Sequence, residues 1–598
     1  MWRFGITLSV VVAGCGPPTP LAMGRVGSSI ALVGSHIAVV NPDQDSVTLL
    51  DPDTLDEIQT IPVGSKSGAE PHALVATSDG RLIVTLHRTG EIQLIDPSGS
   101  RSIGPVALCP GASGLALTPD GLNVYVACEW AGNFVELGTS DLRVGADLSP
   151  LFLTRPRVVA CVGDDVVVGH FTGGAVDRFT NGGNTTTGIL PRGPTYRPAL
   201  TSMTANLITA MVPVDGKILV AHELVNNTGD TTSEKVADDY GSVTDGNPKI
   251  NPAVTALDPA NGFLPFVSLP VIYASFDGGS KVFNGPSAIA DAGHGLALVT
   301  HISTGNVALI DTNATTVDAR VKVTFLTGAG ASGVAVDLTR NIAWVDNAFD
   351  YSVTRIDLTN KTTMTRVRNL VSPYSPAALA GRKIFHDASN PHITPSGVVA
   401  CSTCHPAGGD DGLVWFVHTS KIPLKRRRTP NLANSHSQTA PFHWDAQFPD
   451  MPTLARSTIT DLMAGDDLLV DVNSIQAYID EIVKAPIPPA GDPNAIARGQ
   501  ALFMSATTQC ATCHPPPDFT DRMKHTVLNP NSLTSDDVMP STDTPALHGL
   551  FLRAPYFHDG RSPTLEDLLS RPDAAMHGTT SMLSAQDKTD LLAFLGSL

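Results

Sequence analysis

The sequence predicts a multidomain protein in which an all-β propeller with seven blades is followed by a mainly α-helical region. A chain of 598 residues is too long for one hydrophobic core, so at least two domains are expected. Only 16% of the residues are charged, and 52 Gly and 46 Pro favour a turn-rich β protein. The β pattern runs through residues 25–371, and apolar residues at helical spacing replace it from residue 377 onwards.

A repeated strand pattern predicts the propeller. The segments that begin at His36, Pro71 and Ala112 hold short runs rich in Val, Ile and Leu, bounded by turns with Asp, Asn or Gly. The pattern recurs about every 40 residues, and a four-stranded unit of that length cannot bury both of its faces alone. Radial stacking of these units into a propeller solves this, and two β-sandwiches are the alternative. The segment "PHALVATSDGRLIVT" resembles the YVTN-type propeller repeats of exported bacterial proteins, which implies seven blades, and the resemblance is weakest over residues 225–282.

The composition changes after Val371, where "SPYSP" over residues 372–376 indicates a hinge. Ala377, Ala380 and Ile384 then follow at the spacing of one helical face. The C-terminal segment "SAQDKTDLLAFLGSL" begins with a capping Ser584 and continues with leucines on one face. The region after the hinge is therefore predicted to be mainly helical.

Residues 1–14 resemble a bacterial lipoprotein signal. Arg3 precedes a mostly apolar run that is too short to span a bilayer, and the run ends in "VAGC" at Cys15. The resemblance implies acylation of the Cys15 sulfur and a tether over residues 15–24, and an ordinary cleaved signal is the alternative. We therefore expect the protein in the cell envelope, on the periplasmic side, anchored by lipid to the outer membrane.

The net charge of the chain restricts its partners. A net charge of −18 argues against nucleic acid or anionic lipid as a partner, and it would suit a basic electron-donor protein.

Three of the eight cysteines, Cys109, Cys128 and Cys161, belong to no motif. A Cys109–Cys128 disulfide and inert buried thiols are both compatible with an oxidising compartment.

Two C-x-x-C-H motifs in the helical region predict two covalently bound c-type haems. Two thiols three residues apart can add to both vinyl groups of one haem, and the next residue brings an imidazole to the iron. A zinc site or a redox pair of cysteines would not require the histidine that directly follows the second cysteine. The motifs divide the region into one haem domain over residues 377–490 and another over residues 491–598. The motif residues are Cys401, Cys404 and His405, and Cys510, Cys513 and His514.

The two haem domains also match each other around the motifs. Gly381 and Phe385 precede the first motif, and Gly499 and Phe503 precede the second, in each case one helical turn apart. A glycine at this place lets a second helix cross closely. Each half then ends in an apolar helix, "SIQAYIDEIV" or "DLLAFLGSL", so we predict a helix–haem–helix unit in each domain.

Over residues 377–598 the chain resembles the bacterial di-haem cytochrome c peroxidases and the related enzyme that matures methylamine dehydrogenase. The resemblance lies in "LAGRKIFHD", "ACSTCHPAGGDDG", "RTPNLAN", "FHWDAQF" and "TPALHGLFLRAPYFHDGRSPTLEDLL", in this order. It implies an oxidoreductase in which the N-terminal haem binds hydrogen peroxide. The C-terminal haem accepts electrons from a small donor protein, of the cytochrome or cupredoxin type, and passes them on.

Several site residues follow from this resemblance. It makes His405 and His514 the proximal iron ligands. Trp444 matches the tryptophan beside the peroxide-binding haem, and His418 lies near the position of a distal histidine that leaves the iron on activation.

The sixth ligand of the second iron is expected in "DAAMHG", ahead of the last helix. Met576 would supply a thioether, which raises the reduction potential, and His577 is an equal candidate. Met539 and His558 are weaker candidates for the same position.

The sequence departs from the family on the peroxide side of the first haem. Leu462 stands where the family has an acid/base glutamate, with Asp461 and Met463 on either side. Cleavage of peroxide needs a group that moves a proton between the two oxygens, and Asp461 or His443 would have to do so. Met463 could instead bind the first iron and close the site.

The calcium position between the two domains of the family is altered as well. Arg428 stands where an asparagine is usual, and a fixed guanidinium can replace the charge of a cation. We therefore do not assume calcium as a cofactor beside the two haems.

Three functions are compatible with the sequence. The leading prediction is a di-haem peroxidase that reduces hydrogen peroxide with electrons relayed from the C-terminal to the N-terminal haem. The second is an electron-transfer lipoprotein with two six-coordinate irons and the propeller as a docking platform, which the missing glutamate favours. The third is a di-haem oxidase of a protein or organic substrate. The matches of Trp444 and "GGDDG" favour the enzymes.

Overall fold

The computed structural model describes the propeller and the helical region with several gaps. Within the described ranges, no helix combines the length and the apolar character that a membrane crossing requires. The described residues are 22–99, 101–149, 155–180, 185–190, 203–227, 249–258, 271–272, 283–314, 320–417, 422, 425–433, 436–529, 539, 541–571 and 577–598.

The described strands up to residue 367 form a seven-bladed β-propeller, as the sequence predicted. Each blade is a four-stranded antiparallel sheet made of consecutive strands. The first strands of successive blades contact one another and close a ring, so they line the propeller axis. Blade by blade, the strands are Ile30–Val33, His36–Asn41, Ser46–Leu50 and Glu57–Pro62 (β1–β4); Pro71–Ala76, Leu82–Leu86, Glu91–Ile95 and Ile103–Ala107 (β5–β8); Ala112–Leu117, Asn123–Cys128, Asn133–Gly138 and Val144–Leu148 (β9–β12); Pro156–Val162, Asp165–His170, Ala175–Phe179 and Thr185–Ile189 (β13–β16); Thr204–Val214, Lys217–Val225, Ile250–Leu257 and Val271–Ile272 (β17–β20); Pro286–Gly293, Leu296–His301, Asn306–Asp311 and Val321–Leu326 (β21–β24); and Ala331–Asp337, Ile342–Asn347, Ser352–Asp357 and Thr362–Val367 (β25–β28).

Side chains join the last blade to the first. Among the described strands, none is shared between these two blades, and packing and hydrogen bonds link them. Trp344 is fully buried and donates a hydrogen bond from Nε1 to Pro52 O at 2.8 Å. Arg368, after β28, forms a buried ion pair with Asp346 at 2.9 Å. Asp346 Oδ2 in turn accepts from Ser29 Oγ at 2.8 Å, which ties the last blade to the chain before β1.

The cysteines of the propeller adopt both of the arrangements left open by the sequence. Cys109 and Cys128 form a disulfide across adjacent segments of the third blade, with Cα atoms 5.8 Å apart. Cys161 is a buried free thiol, and burial raises its pKa to about 12. The propeller therefore carries one covalent cross-link and one inert thiol.

The helical region contains two matching helix pairs and two small two-stranded sheets. The first pair packs one helix before and one after the first motif, and the second pair repeats this around the second motif. The helices are Pro376–His386 (α1), Cys401–Cys404 (α2), Met451–Ser457 (α3), Val472–Glu481 (α4), Pro493–Phe503 (α5), Cys510–Cys513 (α6), Leu565–Ser570 (α7) and Ala585–Leu595 (α8), and the strands are Val414–Val417 (β29) with Lys425–Arg428 (β30) and Lys524–Thr526 (β31) with Ser541–Asp543 (β32).

Glycine permits the close helix crossings that the sequence predicted. A Cβ on Gly381 would lie 1.7 Å from Ser474 O where α1 crosses α4. A Cβ on Gly499 would lie 1.9 Å from Asp590 O where α5 crosses α8. Ser584 caps α8 by accepting a hydrogen bond from the Asp587 amide, also as predicted. We call the two units the first and the second helical domain.

The first helical domain rests on one end of the propeller. Arg382 on α1 forms an ion pair with Asp43 at 2.9 Å. Asn206 on β17 donates from Nδ2 to Asp411 O at 3.1 Å, and both groups are buried. Val225, at the end of β18, joins the hydrophobic core of the first helical domain. The interface is therefore part apolar and part ionic, and it places the first motif against the propeller.

Candidate functional site

The first C-x-x-C-H motif lies on the one-turn helix α2 and is held from behind by α1. Nδ1 of His405 is 3.2 Å from Gly409 O, so a proton on Nδ1 is donated to that carbonyl and Nε2 stays free to bind iron. Phe385 packs beside this imidazole, with ring centroids 6.5 Å apart. Burial raises the pKa of the Cys401 thiol to about 12, which argues against a thiolate redox pair.

The second motif repeats this local geometry on α6. Nδ1 of His514 is 2.8 Å from Phe519 O, and the imidazole is 9% exposed. Burial is also the main cause that raises the thiol pKa of Cys510 and Cys513. Each motif histidine is thus held through Nδ1 by a backbone carbonyl a few residues further on, and Nε2 remains for a metal.

A cavity of about 300 Å³ lies over the second motif. It is lined by Cys510, Cys513 and His514 and also by His577. The His514 and His577 rings are 6.2 Å apart between centroids, with their planes at 83°. Metal–imidazole nitrogen bonds are about 2 Å long, so two imidazoles on opposite sides of one ion hold their centroids about 6 Å apart. The two side chains therefore fit one iron.

Two arginines, Arg428 and Arg553, place positive charge at this cavity. Arg428 donates from Nη2 to Asp410 Oδ1 at 2.9 Å, and Arg553 donates from Nη1 to Ala546 O at 2.6 Å. The Nε of each arginine is buried and has no hydrogen-bond acceptor among the described residues. Buried guanidinium groups favour carboxylate partners, and a haem brings propionate carboxylates. The cavity, the thiols, the imidazoles and these cations together fit a haem.

His443 and Trp444 are neighbours in sequence, but their side chains have different surroundings. Trp444 lines the cavity of the second motif and donates from Nε1 to Arg428 O at 2.8 Å. His443 is exposed at the surface, yet desolvation by the surrounding protein lowers its pKa to about 4, and the charge of His405 contributes to this lowering. His443 is therefore neutral near pH 7 and lies within electrostatic range of the first motif. The structure thus places Trp444 at the cavity of the second motif.

The remaining candidates on the side of the first motif differ in their surroundings. Asp461 lies in a π-helical turn, where it accepts hydrogen bonds from Ser457 Oγ at 2.8 Å and Thr460 Oγ1 at 3.0 Å. Met463 is 2% exposed and lies in the hydrophobic core against which Cys401 packs. The Met463 thioether therefore shares a core with the first motif, whereas the Asp461 carboxylate is held by hydroxyls of its own turn.

Three residues predicted from the sequence fall in segments that the structure does not describe. His418, Met576 and Cys15 lie outside the described residues. Of the weaker ligand candidates, His558 is buried and lines the cavity of the second motif, and Met539 Sδ is 3.5 Å from Arg427 Nη2.

Arg428, which the resemblance placed at the altered calcium position, is buried and hydrogen-bonded. Its Nη1 donates to Thr429 O at 2.8 Å, in addition to the bond from Nη2 to Asp410. Asn431 Nδ2 lies 3.3 Å from the second oxygen of Asp410. Burial raises the pKa of Asp410, and the charges of Arg428 and Arg155 overcome this and hold it below its usual value. The carboxylate therefore already has cationic partners from the protein.

Comparison with known proteins identifies relatives of the helical region. The methylamine utilization protein MauG of Methylorubrum extorquens is 28% identical over 288 residues, which cover 38% of this chain and 79% of that protein. The protein of the same name from Methylophilus methylotrophus is 25% identical over 281 residues, or 37% of this chain and 82% of that protein. Hydrazine synthase subunit gamma of Kuenenia stuttgartiensis is 29% identical over 141 residues, or 17% of this chain and 40% of that subunit.

Solved structures show a looser likeness. Hydrazine synthase of Kuenenia stuttgartiensis has a TM-score of 0.44 at 16% identity, covering 60% of this chain and 100% of that chain. A streptogramin B lyase has a TM-score of 0.37 at 12% identity, covering 55% of this chain and 92% of that chain. No protein-family model matches the chain. The sequence relatives nevertheless show that the C-terminal part of this chain is homologous to MauG, and the structure joins this part to a seven-bladed propeller.

Proposed function

We propose that the chain is a di-haem c-type oxidoreductase of the peroxidase type, which reduces hydrogen peroxide at the first motif with electrons relayed from the second. The observation that carries this proposal is the contrast between the motifs. The His577 ring lies at the distance from His514 that two ligands of one iron would have, whereas the described imidazole within electrostatic range of His405 is that of His443. The second haem would then relay electrons, and hydrogen peroxide would react at the first haem. The homology to MauG supports a di-haem redox role.

Several residues would hold the cofactors in this proposal. Haem bound at each motif supplies reversible one-electron chemistry. His405 and His514 would bind the irons through Nε2. Arg428 and Arg553 would neutralise propionates in the second cavity. Trp444 would place an aromatic ring beside the second haem, fixed by its hydrogen bond to Arg428 O.

We assign His577 as the sixth ligand of the second iron. The assignment rests on the 6.2 Å separation from His514 and on the shared cavity. Burial lowers the pKa of His577 to about 4, so the imidazole is neutral and can donate a lone pair to iron.

Peroxide reduction needs proton transfer as well as electrons. Conversion of one peroxide to two waters consumes two electrons and two protons, and a side chain must carry a proton from one oxygen to the other. We place His443 in this role, because its imidazole is neutral and lies within electrostatic range of His405. Asp461 is the alternative acid, and its two hydroxyl partners would have to release it.

The spectrum of the purified holoprotein tests the proposal. Absorption and electron paramagnetic resonance spectra are recorded in the oxidised and half-reduced states, with and without hydrogen peroxide. A high-spin signal that responds to peroxide is the expected result. Two low-spin irons in every state would overturn the peroxidase assignment.

A specific observation favours a second function, electron transfer alone. The buried Met463 lies in the core of the first motif and could supply a thioether to the first iron. Both irons would then be six-coordinate and the propeller would serve as a docking platform. Replacing Met463 by Leu distinguishes the two, because only a ligating thioether converts a low-spin first iron to high spin when it is lost. Oxidation of a protein or organic substrate is a further form of the same redox role, supported by the homology to MauG.

The partner and location are part of the proposal. We propose that a small cytochrome or cupredoxin donates electrons and that Cys15 carries the lipid that anchors the protein on the periplasmic side of the outer membrane. In a Gram-negative host, the wild type should fractionate with outer membranes and incorporate labelled palmitate. Cys15→Ser should do neither, and unchanged fractionation would overturn the lipid anchor.

A further inference from the structure

A cavity of about 1110 Å³ runs along the propeller axis and ends at the first helical domain. Residues 22–29 cross the inner ring near one end, where Gly24 N donates to Cys161 O at 2.9 Å. Ser402 and Thr403 of the first motif, together with Asp410, line the other end. Ligand sites in proteins commonly enclose about 300–1,000 Å³, so this space can hold an organic molecule. We call it the axial chamber.

A buried carboxylate with two arginines lies at the motif end of the axial chamber. Glu129 is 1% exposed, and its Oε1 accepts hydrogen bonds from Arg155 Nε at 2.9 Å and Nη2 at 2.5 Å. Its Oε2 lies 3.5 Å from Arg157 Nη1 and 3.4 Å from His87 Nε2. Neither of these close contacts is a hydrogen bond. Two guanidinium groups therefore share the Glu129 carboxylate. Arg155 also interacts with the charge of Asp410, so Arg157 is the less compensated of the two cations.

The two arginines have different amounts of unused hydrogen-bonding capacity. Arg155 donates hydrogen bonds from Nε and Nη2 to Glu129, and its Nη1 lies 3.5 Å from Asp410 O. Arg157 lines the chamber with 22% of its side chain exposed and makes no closer contact with Glu129 than 3.5 Å. Arg157 is thus the cation of the cluster that can receive an anion from the chamber.

Aromatic groups surround the cluster and hold it in place. Both guanidinium groups lie over the Phe171 ring, at 4.6 Å for Arg155 and 4.2 Å for Arg157. Trp130 packs its ring edge-to-face with His87 at 4.5 Å, and His72 follows at 5.2 Å from His87. All of these side chains line the chamber. A flat apolar body can therefore pack beside the cation.

We propose that the axial chamber binds a small aromatic carboxylate, with its carboxylate on Arg157 and its ring against Trp130 and His72. This is a second ligand site, distinct from the peroxide side of the first iron, and it does not depend on the proposed peroxidase activity. Burial lowers the pKa of His72 to about 3, so this imidazole adds no charge near pH 7 and offers an apolar face. A bound molecule would lie within reach of the first motif, because Arg155 connects the cluster to Asp410.

Equilibrium dialysis of labelled benzoate against the holoprotein tests the proposal. Cyanide is present throughout, so that benzoate cannot report binding to an open iron. We expect saturable binding of one benzoate per chain. Benzamide has the same shape without the charge, and it should bind at least tenfold more weakly because it cannot form a charge-assisted pair with Arg157. This comparison needs no variant, so it decides the proposal even if substitutions disturb folding.

Arg157→Gln supplies the residue-level test. It should weaken benzoate binding about ten- to hundredfold, which is the range for loss of a hydrogen bond to a charged group. Arg101→Gln is the matched control, since Arg101 is 52% exposed on the rim of the second blade and pairs with Asp96 and Asp79. Equal binding of benzoate and benzamide, equal affinity of Arg157→Gln and Arg101→Gln, or no saturable binding would each overturn the proposal.

Discussion

Gly381 lies so close beneath Ser474 that a Cβ on the glycine would be 1.7 Å from the Ser474 carbonyl oxygen. The contact fixes how α1 crosses α4 behind the first motif. Gly381→Ala should therefore force the helices apart and cost about 3 kcal/mol or more of unfolding free energy, at the upper end of overpacking effects. Thermal unfolding and haem content per chain measure the effect.

Gly104→Ala is the control for this substitution. Gly104 lies on β8, and a Cβ there would meet no atom within 4 Å. Its effect should stay within about 0.5 kcal/mol, as for most surface changes. Equal melting temperatures for the two alanine variants would show that the helix crossing tolerates a side chain.

The pattern around Gly381 shows how far sequence reasoning reaches. Strand spacing predicted a propeller, and the Gly and Phe one turn apart predicted both helix crossings, because these features are local and periodic. The number of blades followed from the resemblance to YVTN-type repeats. The contact of Arg553 with the second cavity and the burial of Glu223 at the domain interface were not predicted. Both depend on which distant segments meet in the fold, and no spacing within the chain carries that information.

The chamber cluster was missed for the same reason. Glu129 and Arg157 come from different blades and meet only because the blades close into a ring. His72 belongs to no motif in the sequence, and the structure brings it to His87. Trp444 follows His443 directly in the sequence. Only the fold shows that Trp444 lines the cavity of the second motif, whereas His443 lies within electrostatic range of the first.

Replacement of His577 by Met tests the sixth ligand of the second iron. If His577 binds that iron, the variant exchanges an imidazole for a thioether and the reduction potential of the second haem should rise. A redox titration followed by absorption and electron paramagnetic resonance spectra measures this. His548→Met is the control, because His548 packs on Phe519 outside the ligand pair. An unchanged potential in the His577 variant would remove it as a ligand.

Chelation tests the role of Arg428. Because Arg428 already gives Asp410 a cationic partner at 2.9 Å, EGTA should leave the spectra and peroxide turnover of the wild type unchanged. Arg428→Asn should destabilise the protein by about 3–5 kcal/mol, since it leaves Asp410 buried without its main cation. Added calcium should restore part of this loss. Loss of wild-type activity in EGTA would show that a metal is needed despite the arginine.

The control for Arg428→Asn is an exposed arginine in the same domain. Arg456 is 55% exposed and pairs with Asp467 at the surface. Surface pairs contribute about 0–1 kcal/mol, so Arg456→Asn should change the unfolding free energy little and should not respond to calcium.

The Glu223 carboxyl at the domain interface predicts a pH dependence of stability. Burial raises its pKa from 4.5 to about 8, and the charge of Asp411 adds to the shift. The folded state therefore binds more protons than the unfolded state between these values. The stabilising contribution is fully present below about pH 4.5 and is lost as pH rises through about 8.

Glu223→Gln should remove this dependence. The amide cannot ionise, so the variant should match the wild type near pH 5 and exceed its unfolding free energy near pH 8 by about 1–3 kcal/mol. Denaturant unfolding at a series of pH values gives both numbers. Glu566→Gln, an exposed site on α7, should leave the slope of stability against pH unchanged. Parallel curves for the wild type and Glu223→Gln would show that Glu223 ionises as it does in water.

Substitution of His443 and Asp461 separates the two candidates for proton transfer at the first motif. Loss of a general acid–base group lowers turnover about 10²–10⁴-fold. His443→Gln should show a loss of this size in stopped-flow peroxide reduction, because His443 is neutral and within range of the charge of His405. Asp461→Asn should have a smaller effect, since the Asp461 carboxylate is engaged by Ser457 and Thr460. With a pKa of about 4, His443 stays neutral between pH 5 and 8, so it should introduce no inflection in turnover over that range. The reverse ranking, with unchanged haem spectra in both variants, would assign the proton transfer to Asp461.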